Sequence, residues 1–227
     1  PGGGGTPIRL AVDAAALATY NRRLATTSRM GRFRNTGQPD WDWWGRVWPT
    51  PGETLRELGL EAGDAVAEIG SGNGYFALPA ARVADPGTVY AVDVDEALLA
   101  ELDRLTDAQG IANVATVEGD ARDLADLLPE PVDAALLLNA FHGIPDPESF
   151  VSGASEALAP DGRFVVVNWH DRPRAETRID GEPRGPPTDL RLTPASTRET
   201  VEGAPGGLTL AKEVDLPPFH YGLVFER

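Results

Sequence analysis

The chain has 227 residues, 41% of them hydrophobic, which is enough for one principal domain with a substantial core. It contains no cysteine, which excludes disulfides, thiolate metal sites and a cysteine nucleophile. The formal net charge is −15, and one interpretation is that no basic face remains that could bind a polyanion such as RNA or DNA.

The acidity also has a second interpretation, adaptation to high salt, which we favour because Lys212 is the only lysine. In molar salt the Debye length falls to roughly 3 Å, so a nucleic-acid enzyme could be equally acidic and nucleic acid is disfavoured without being excluded. No run approaches the roughly 18 apolar residues of a membrane span. No basic region followed by an apolar core opens the chain, and we therefore expect a cytoplasmic protein.

The first part of the chain predicts a helical arm. A helix is expected over 13–24, followed by an irregular aromatic stretch over 32–52. A short helix over 51–58 should begin with Thr50 as its N-cap and Pro51 in its first turn. We expect residues 1–60 to be an N-terminal arm or lid and residues 61–227 to be the main domain.

From residue 64 onward, apolar strands alternate with amphipathic helices, a pattern typical of a parallel sheet covered on both faces. Residues 171–192 are rich in Pro, Arg, Asp and Gly and predict a loop. Strands are expected over 65–69, 88–92, 113–117, 133–139, 163–169, 208–214 and 221–225, and helices over 74–84, 95–109, 122–128, 147–158 and 194–203.

A glycine-rich loop follows the first of these strands. Gly70, Gly72 and Gly74 leave main chain without side chains where a strand turns into a helix, so that a ligand can approach the backbone closely. Asp93, at the end of the next strand, lies 19 residues after Gly74. This is near the offset at which a carboxylate meets a ribose hydroxyl in such folds, and the pair predicts a nucleoside cofactor.

The details differ from the dinucleotide fingerprint G-x-G-x-x-G, because the third glycine comes one residue early and Glu68 precedes the first. The pattern Glu68-x-Gly70-x-Gly72-x-Gly74 resembles motif I of the class I S-adenosylmethionine (SAM)-dependent methyltransferases. Later segments resemble further motifs of that family in order and spacing: Val117-Glu118-Gly119-Asp120-Ala121, the stretch 131–147 with Asn139-Ala140-Phe141-His142, and Leu158-Ala159-Pro160-Asp161-Gly162.

The resemblance implies an α/β fold with a Rossmann-like, seven-stranded, mostly parallel sheet whose last strand is antiparallel. It implies SAM as the cofactor, with Asp93 on the ribose and Asp120 and Ala121 at the adenine. The full set of expected cofactor-binding residues is Glu68, Gly70, Ser71, Gly72, Gly74, Asp93, Val94, Asp120, Ala121, Asn139 and Phe141.

Two histidines at the predicted strand edge are candidate general bases, because histidine titrates near neutral pH. His142 follows the fourth predicted strand and is equally compatible with packing within its loop. His170 follows the fifth strand, on the edge where open α/β folds bind ligands. For His220, before the last strand, a structural role is the stronger interpretation. No histidine pair has metal-ligand spacing, so no metal site is expected.

The tryptophans between 41 and 48 predict an apolar wall over the cofactor and the acceptor. We expect Trp41 and Trp43 to anchor the segment. The expected pocket residues are Trp44, Arg46, Trp48 and, after the glycines, Tyr75.

These observations together predict an enzyme that transfers a methyl group from SAM to a small molecule, similar to the ubiquinone- and menaquinone-biosynthesis type. The alternatives are a nucleic-acid or protein methyltransferase, and a SAM-binding protein without catalysis. A nicotinamide-dependent oxidoreductase is disfavoured by the glycine spacing and by the absence of a Tyr-x-x-x-Lys motif. Fold alone does not determine the acceptor.

Overall fold

A seven-stranded sheet forms the centre of the computed structural model, which describes residues 33–227. Its strand order is β3-β2-β1-β4-β5-β9-β8, and β1 to β5 are parallel. The last strand, β9, is antiparallel to both of its neighbours. The strands are β1 Val66–Ile69, β2 Val89–Asp93, β3 Val114–Glu118, β4 Val132–Leu138, β5 Leu158–Trp169, β8 Thr209–Leu216 and β9 His220–Glu226, while β6 Arg178–Ile179 and β7 Glu182–Pro183 form a separate hairpin.

Helices cover both faces of the sheet, because the central strands are buried on both sides and need apolar cover. The helices are α1 Trp41–Val47, α2 Pro51–Glu57, α3 Ala77–Ala84, α4 Glu96–Gln109, α5 Leu124–Leu127, α6 Pro147–Glu156 and α7 Pro194–Gly203. One core cluster joins the sheet to α1, α2 and α3, and the other joins it to α6 and α7. The architecture confirms the predicted α/β class.

The strand order reverses between β1 and β4, since the chain builds outward from β1 in one direction and from β4 in the other. In open α/β sheets this reversal leaves a crevice at the carboxyl ends of the strands, where ligands bind. The glycine-rich loop, Asp93 and Asn139 lie at the carboxyl ends of β1, β2 and β4, respectively.

Local signals account for the helix positions. The Asp95 side chain caps α4 by accepting hydrogen bonds from the backbone N–H groups of Ala97 (3.0 Å) and Leu98 (3.4 Å). The helix ends at Gly110, whose φ of 66° few other residues adopt. Asp95 therefore performs the capping, which leaves Asp93 available for another task.

Two local predictions were wrong in part. Residues 41–47 form the helix α1 instead of an irregular stretch, because Trp44 and Val47 lie one turn apart and bury the same face. Thr50 stands before α2, but its side chain makes no capping hydrogen bond to the helix. The helix expected over 13–24 lies outside the described residues.

Residues 33–227 form one compact unit that includes α1 and α2. A boundary near residue 60 stays a prediction. Within this unit, no helix is long and apolar enough to cross a membrane.

The segment 171–193, called the cap below, is ordered rather than an open loop. It contains the β6–β7 hairpin and two short 3₁₀ turns. Its hairpin contacts α1, so the cap joins the carboxyl edge of the sheet to the tryptophan-rich helix.

Candidate functional site at the carboxyl edge of the sheet

The glycine-rich loop requires glycine for steric reasons. Gly72 and Gly74 have φ values of 55° and 92°, which side chains disfavour. A Cβ on Gly74 would lie 2.3 Å from Leu102 Cδ1 of α4, and one on Gly72 would lie 1.8 Å from Gln38 Oε1. At Gly70 a Cβ would meet no atom within 4 Å, so the loop opens toward free space there.

Asp93 is held against this loop. Its Oδ2 accepts a hydrogen bond from the Gly72 N–H at 2.8 Å, and its Oδ1 accepts one from the Asp95 N–H at 3.0 Å. A carboxylate offers about four acceptor sites, so two remain for a ligand hydroxyl pair. The structure thus joins the two cofactor signals of the sequence, while the neighbouring Val94 is half exposed.

Glu68 is a buried acid beneath the glycine loop. It is 3% exposed, and its Oε2 has no hydrogen-bond partner among the described residues. Desolvation, followed by the nearby charge of Asp93, raises the pKa of Glu68 well above its ordinary value. The hydroxyl of Ser71 is also buried without a partner. Buried polar atoms without a hydrogen-bond partner cost free energy unless a ligand binds to them. Glu68 and Asp93, as two neighbouring acids, favour a cationic ligand.

Asp120 and Ala121 follow β3 at the same edge. The Asp120 Oδ1 accepts hydrogen bonds from the backbone N–H of Arg122 (3.1 Å) and from its Nε (2.9 Å), so Asp120 caps a 3₁₀ turn and forms an ion pair with that arginine. Ala121 is buried. Asp120 therefore has a structural role in the turn, and adenine binding by Asp120 and Ala121 stays a prediction.

The loop after β4 begins with a strained residue. Asn139 has a φ of 61°, and both of its buried amide atoms lack partners among the described residues. Its N–H donates to the Val167 carbonyl at 2.7 Å, which fixes it beside β5. An unpaired amide in a left-handed conformation is typical of a functional position. Phe141 is 2% exposed and packs in the core instead of lining open space.

His142 is buried and has contacts at both ring nitrogens. Nδ1 lies 3.1 Å from Asn168 Oδ1, and Nε2 lies 3.4 Å from the Asn35 carbonyl oxygen. Desolvation lowers the pKa of His142, so its ring is neutral at neutral pH and can donate to only one of these oxygens. The packing role is therefore present, and a role as base stays a prediction.

His170 and His220 lie next to each other at the ends of β5 and β9. The Nε2 of His170 lies 3.3 Å from Asp215 Oδ1, a partner that could orient it. His220 is completely buried with both ring nitrogens unpaired. Its ring centroid lies 4.1 Å from that of Trp169 and 4.5 Å from that of Trp48. Desolvation, followed by the charges of His170 and Arg191, holds the pKa of His220 well below its ordinary value.

The tryptophans differ in part from the expectation, although Trp43 is partly buried and packs against the core, as expected of an anchor. Trp44 and Trp48 are 6% and 3% exposed and belong to the core, so they anchor α1. Trp41 is instead exposed, and its Nε1 donates to Asn73 Oδ1 of the glycine loop at 2.9 Å. Arg46 points to the surface, where it forms an ion pair with Asp180 of the β6–β7 turn. Helical periodicity explains why Trp44 is buried and Trp41 exposed, since one face of α1 must face the sheet.

Tyr75 joins the glycine loop to the tryptophan segment. Its hydroxyl donates to the Trp48 carbonyl oxygen at 2.7 Å, and its ring lies edge-on to that of Trp41, with centroids 5.3 Å apart. Tyr75 is half-buried and lies close to the expected cofactor loop.

The stretch 33–40 crosses the carboxyl edge above the site. The Arg34 N–H donates to the Gly143 carbonyl at 2.8 Å, and Gln38 lies over Gly72. The cover expected from the tryptophans is thus provided in part by the residues before them. Sequence reasoning missed Gln38, and no pattern in the chain identifies it.

It also missed Arg184 and Arg191 of the cap, although the run Arg184-Gly185-Pro186-Pro187 is an unusual signal. Arg191 lies over the ring of Trp169 and Arg184 over that of Trp43. Among residues 33–227, no group of three or more His, Asp or Glu side chains could hold a metal ion.

Comparison with known proteins supports the interpretation of the central segment. Residues 67–164 match the family model described as a methyltransferase domain. In curated proteins, the chain is 35% identical over 71 residues to a "Probable cobalt-precorrin-6B C(15)-methyltransferase (decarboxylating)" of Methanosarcina acetivorans, covering 31% of this chain and 39% of that protein.

Two further relatives differ in their named acceptors. A ubiquinone biosynthesis O-methyltransferase of Pseudomonas syringae pv. tomato is 29% identical over 114 residues, covering 50% of this chain and 48% of that protein. A protein-L-isoaspartate O-methyltransferase of Anaeromyxobacter dehalogenans is 37% identical over 112 residues, covering 48% of each. In each case the similarity spans less than half the length of the relative.

The fold comparison extends over more of the chain. A SAM-dependent methyltransferase from Aquifex aeolicus superimposes with a TM-score of 0.66 at 21% identity, covering 78% of this chain and 89% of that structure. At this identity the likeness establishes the fold. The central segment therefore matches a methyltransferase domain, and the chain shares its fold with this SAM-dependent methyltransferase.

Proposed function

We propose, from this methyltransferase domain and fold, that the chain is a class I enzyme that transfers a methyl group from SAM to a small-molecule acceptor. One observation carries the proposal. Glu68, buried and with an unpaired oxygen, lies beneath a glycine loop whose main chain is held by Asp93. SAM carries a sulfonium and an ammonium group, and this pair of acids complements a cationic ligand with ribose hydroxyls.

The residues present fit this cofactor. Glu68, Ser71 and Asn139 hold buried polar atoms without partners, and Gly70 leaves the loop open. We infer that Glu68 and the glycine loop hold the methionine portion, with Asp93 at the ribose. When bound, SAM supplies an electrophilic methyl group, so the protein has mainly to hold the acceptor in line and exclude water.

Two histidines on the proposed acceptor side are candidates for the role of general base. His142 is neutral because it is buried, so its ring can accept a proton from an acceptor hydroxyl. Asn168 Oδ1, 3.1 Å from Nδ1, would then orient the ring with Nε2 as the accepting atom. His170 is the second candidate, oriented by Asp215. If the acceptor is already nucleophilic, proximity suffices and neither histidine is needed.

A small molecule is favoured because the carboxyl edge is covered. The stretch 33–40 crosses above Gly72 and Gly143, and the cap reaches α1 through the Arg46–Asp180 ion pair. These covers leave little access for a folded macromolecule. A protein or nucleic-acid acceptor, or SAM binding without catalysis, are the alternatives.

Cofactor binding can be tested with S-adenosylhomocysteine (SAH), the product form of SAM. We expect SAM and SAH to raise the melting temperature by mass action, while NAD does not. Asp93→Asn should weaken SAH binding roughly tenfold or more, because hydrogen bonds to a charged acceptor are worth roughly 1.5–3 kcal/mol. Asp126→Asn, at an exposed site on α5, is the matched control. Stabilisation by NAD and not by SAH would overturn the proposal.

Catalysis can be tested by SAH release with a panel of small phenols, carboxylates, amines and thiols, and with total protein and RNA as macromolecular acceptors. Once an acceptor is found, His142→Ala or His170→Ala should lower kcat by roughly 10²–10⁴-fold if that residue is the base. Losses below about tenfold in both variants would leave proximity as the mechanism. SAH release with only the macromolecules would favour the alternative class.

A further inference from the structure

The cap contains a buried positive charge without a carboxylate partner. Arg191 is 7% exposed, and none of the ion pairs among residues 33–227 includes it. Burial, followed by the charge of Arg174, lowers its pKa. An uncompensated buried charge is costly, typically by several kcal/mol, and in a chain of net charge −15 acidic partners are abundant. The absence of such a partner at this position therefore calls for an explanation.

Part of the Arg191 guanidinium has a structural task. Its Nε donates to the Pro186 carbonyl at 3.1 Å, and its Nη2 donates to Thr177 Oγ1 at 2.8 Å and to the Arg184 carbonyl at 3.0 Å. These bonds hold the two limbs of the cap together. Nη1 is buried and has no partner, so these bonds leave its two N–H groups unpaired and supply no opposite charge.

A second arginine of the cap also has no ion-pair partner among residues 33–227 and has a buried donor atom without a hydrogen-bond partner. Arg184 is half-buried, lies outside the ion pairs, and has a buried Nε without a partner. Its guanidinium carbon is 5.0 Å from the ring centroid of Trp43, and that of Arg191 is 5.3 Å from the centroid of Trp169. Arginines stacked on aromatic rings keep their in-plane N–H donors free for planar or tetrahedral anions.

These arginines lie at the expected acceptor side. Trp169 is the last residue of β5, the strand to which Asn139 is hydrogen-bonded. The charge of Arg191 acts on both neighbouring histidines, because it is among the causes, after desolvation, that lower the pKa values of His142 and His220. Arg191 therefore lies close enough to these two histidines for its charge to act on them.

We propose that Arg191 and Arg184 form an anion subsite that binds a carboxylate or phosphate group of the methyl acceptor. This inference rests on the proposed function for the reaction, but the anion subsite itself can be measured without turnover. An acceptor held in this way carries its anionic group under the cap, with Asn139 and the strand-edge histidines on the side of the reacting atom.

The carboxylate of the cofactor's methionine portion is another possible source of the anion, and the experiment separates the two. SAH and 5′-methylthioadenosine, which lacks the amino-acid part, are titrated into the wild type and into Arg184→Gln and Arg191→Lys. Arg184→Gln removes a cation whose buried Nε has no hydrogen-bond partner among residues 33–227. Arg191→Lys keeps the charge but loses the forked geometry, and Arg198→Gln, in an exposed pair with Glu202, is the charge-matched control.

In the second arm, SAH-loaded protein is titrated with benzoate, acetate and inorganic phosphate, and with benzamide and acetamide as neutral matches, at constant ionic strength. Ligand-observed NMR and thermal shift report binding. We expect at least one anion to bind where its neutral match does not, and Arg184→Gln to weaken that binding roughly tenfold while Arg198→Gln does not.

The outcomes are distinct. If no anion binds the SAH-loaded wild type, or if binding is equal in Arg184→Gln and the wild type, the subsite is refuted while SAH binding still supports the proposed function. If Arg184→Gln and Arg191→Lys weaken SAH but not 5′-methylthioadenosine, the anion is that of the cofactor and the acceptor assignment is refuted. Failure of SAH to bind the wild type would instead overturn the proposed function.

Discussion

Replacement of Glu68 by glutamine removes a buried carboxyl charge from beneath the glycine loop. Desolvation and the nearby Asp93 raise the pKa of Glu68 well above its ordinary value of 4.5, so the folded protein retains a proton that the unfolded chain releases. At pH values between the pKa of Glu68 in the unfolded chain and its pKa in the folded protein, the folded state binds more protons than the unfolded state. The free energy of unfolding therefore falls as pH rises, by about 1.4 kcal/mol per pH unit for one group. Glutamine resembles the protonated form at every pH. The free energy of unfolding of Glu68→Gln should therefore exceed that of the wild type by an amount that grows with pH.

The assay is urea unfolding of both proteins without cofactor at pH 5, 6 and 7 in fixed KCl. Subtracting the free energy of unfolding of the wild type from that of Glu68→Gln cancels the pH dependence that the other carboxyl groups contribute to both proteins. From pH 5 to 7 the difference should widen by up to about 2.7 kcal/mol if Glu68 stays protonated over that range. Glu199→Gln, at an exposed site on α7, measures the effect of losing a surface charge.

A difference that does not change with pH would refute this account of Glu68. The same variant has an opposite expected effect on ligand binding, because an ionised Glu68 can balance the positive charge of the ammonium group that SAM and SAH share, and a glutamine cannot. Glu68→Gln should thus be more stable without ligand and bind SAH more weakly. A variant that is both less stable and tighter in binding would contradict the assignment of Glu68 to the cofactor.

Three further predictions concern stability. The buried His220 has a pKa held well below its value in the unfolded chain, so the protein loses stability below about pH 6.5 as the unfolded chain takes up a proton. His220→Phe should reduce this loss. If urea unfolding shows that the wild type and the variant lose the same free energy of unfolding between pH 7 and pH 5, the prediction is contradicted. Gly74→Ala should destabilise by more than about 1 kcal/mol, since the new Cβ meets Leu102 and φ is 92°, and an unchanged urea midpoint would count against it. The net charge of −15 predicts a melting temperature that rises between 0.1 and 2 M KCl, roughly the range over which screening becomes nearly complete, and a flat or falling value would remove the argument for salt adaptation.

The strand–helix alternation and the motif order were sufficient to predict the fold from the sequence. Both depend on local periodicity and on short spacings within single strand–loop–helix units, which the chain carries without reference to distant residues. The contact between Asp93 and Gly72 follows from the same logic, since the carboxyl ends of parallel neighbouring strands meet at one edge. The choice of Asp95 as the helix cap was likewise available from its position before α4.

Tertiary packing alone decided which side chains face the site. The tryptophans of 41–48 share one composition, but Trp44 is buried and Trp41 exposed because α1 turns a single face to the sheet. Gln38 reaches Gly72, which lies 34 positions further along the chain, and no local pattern encodes such a contact. In the sequence, Arg191 belongs to a stretch that predicts a polar loop. Only the folded structure buries its charge over Trp169 without a carboxylate partner, and this burial is the basis for the proposed anion subsite. Sequence therefore determined the scaffold and the cofactor motif through local periodicity, while burial and charge pairing, which depend on the complete fold, determined which side chains surround the proposed acceptor site.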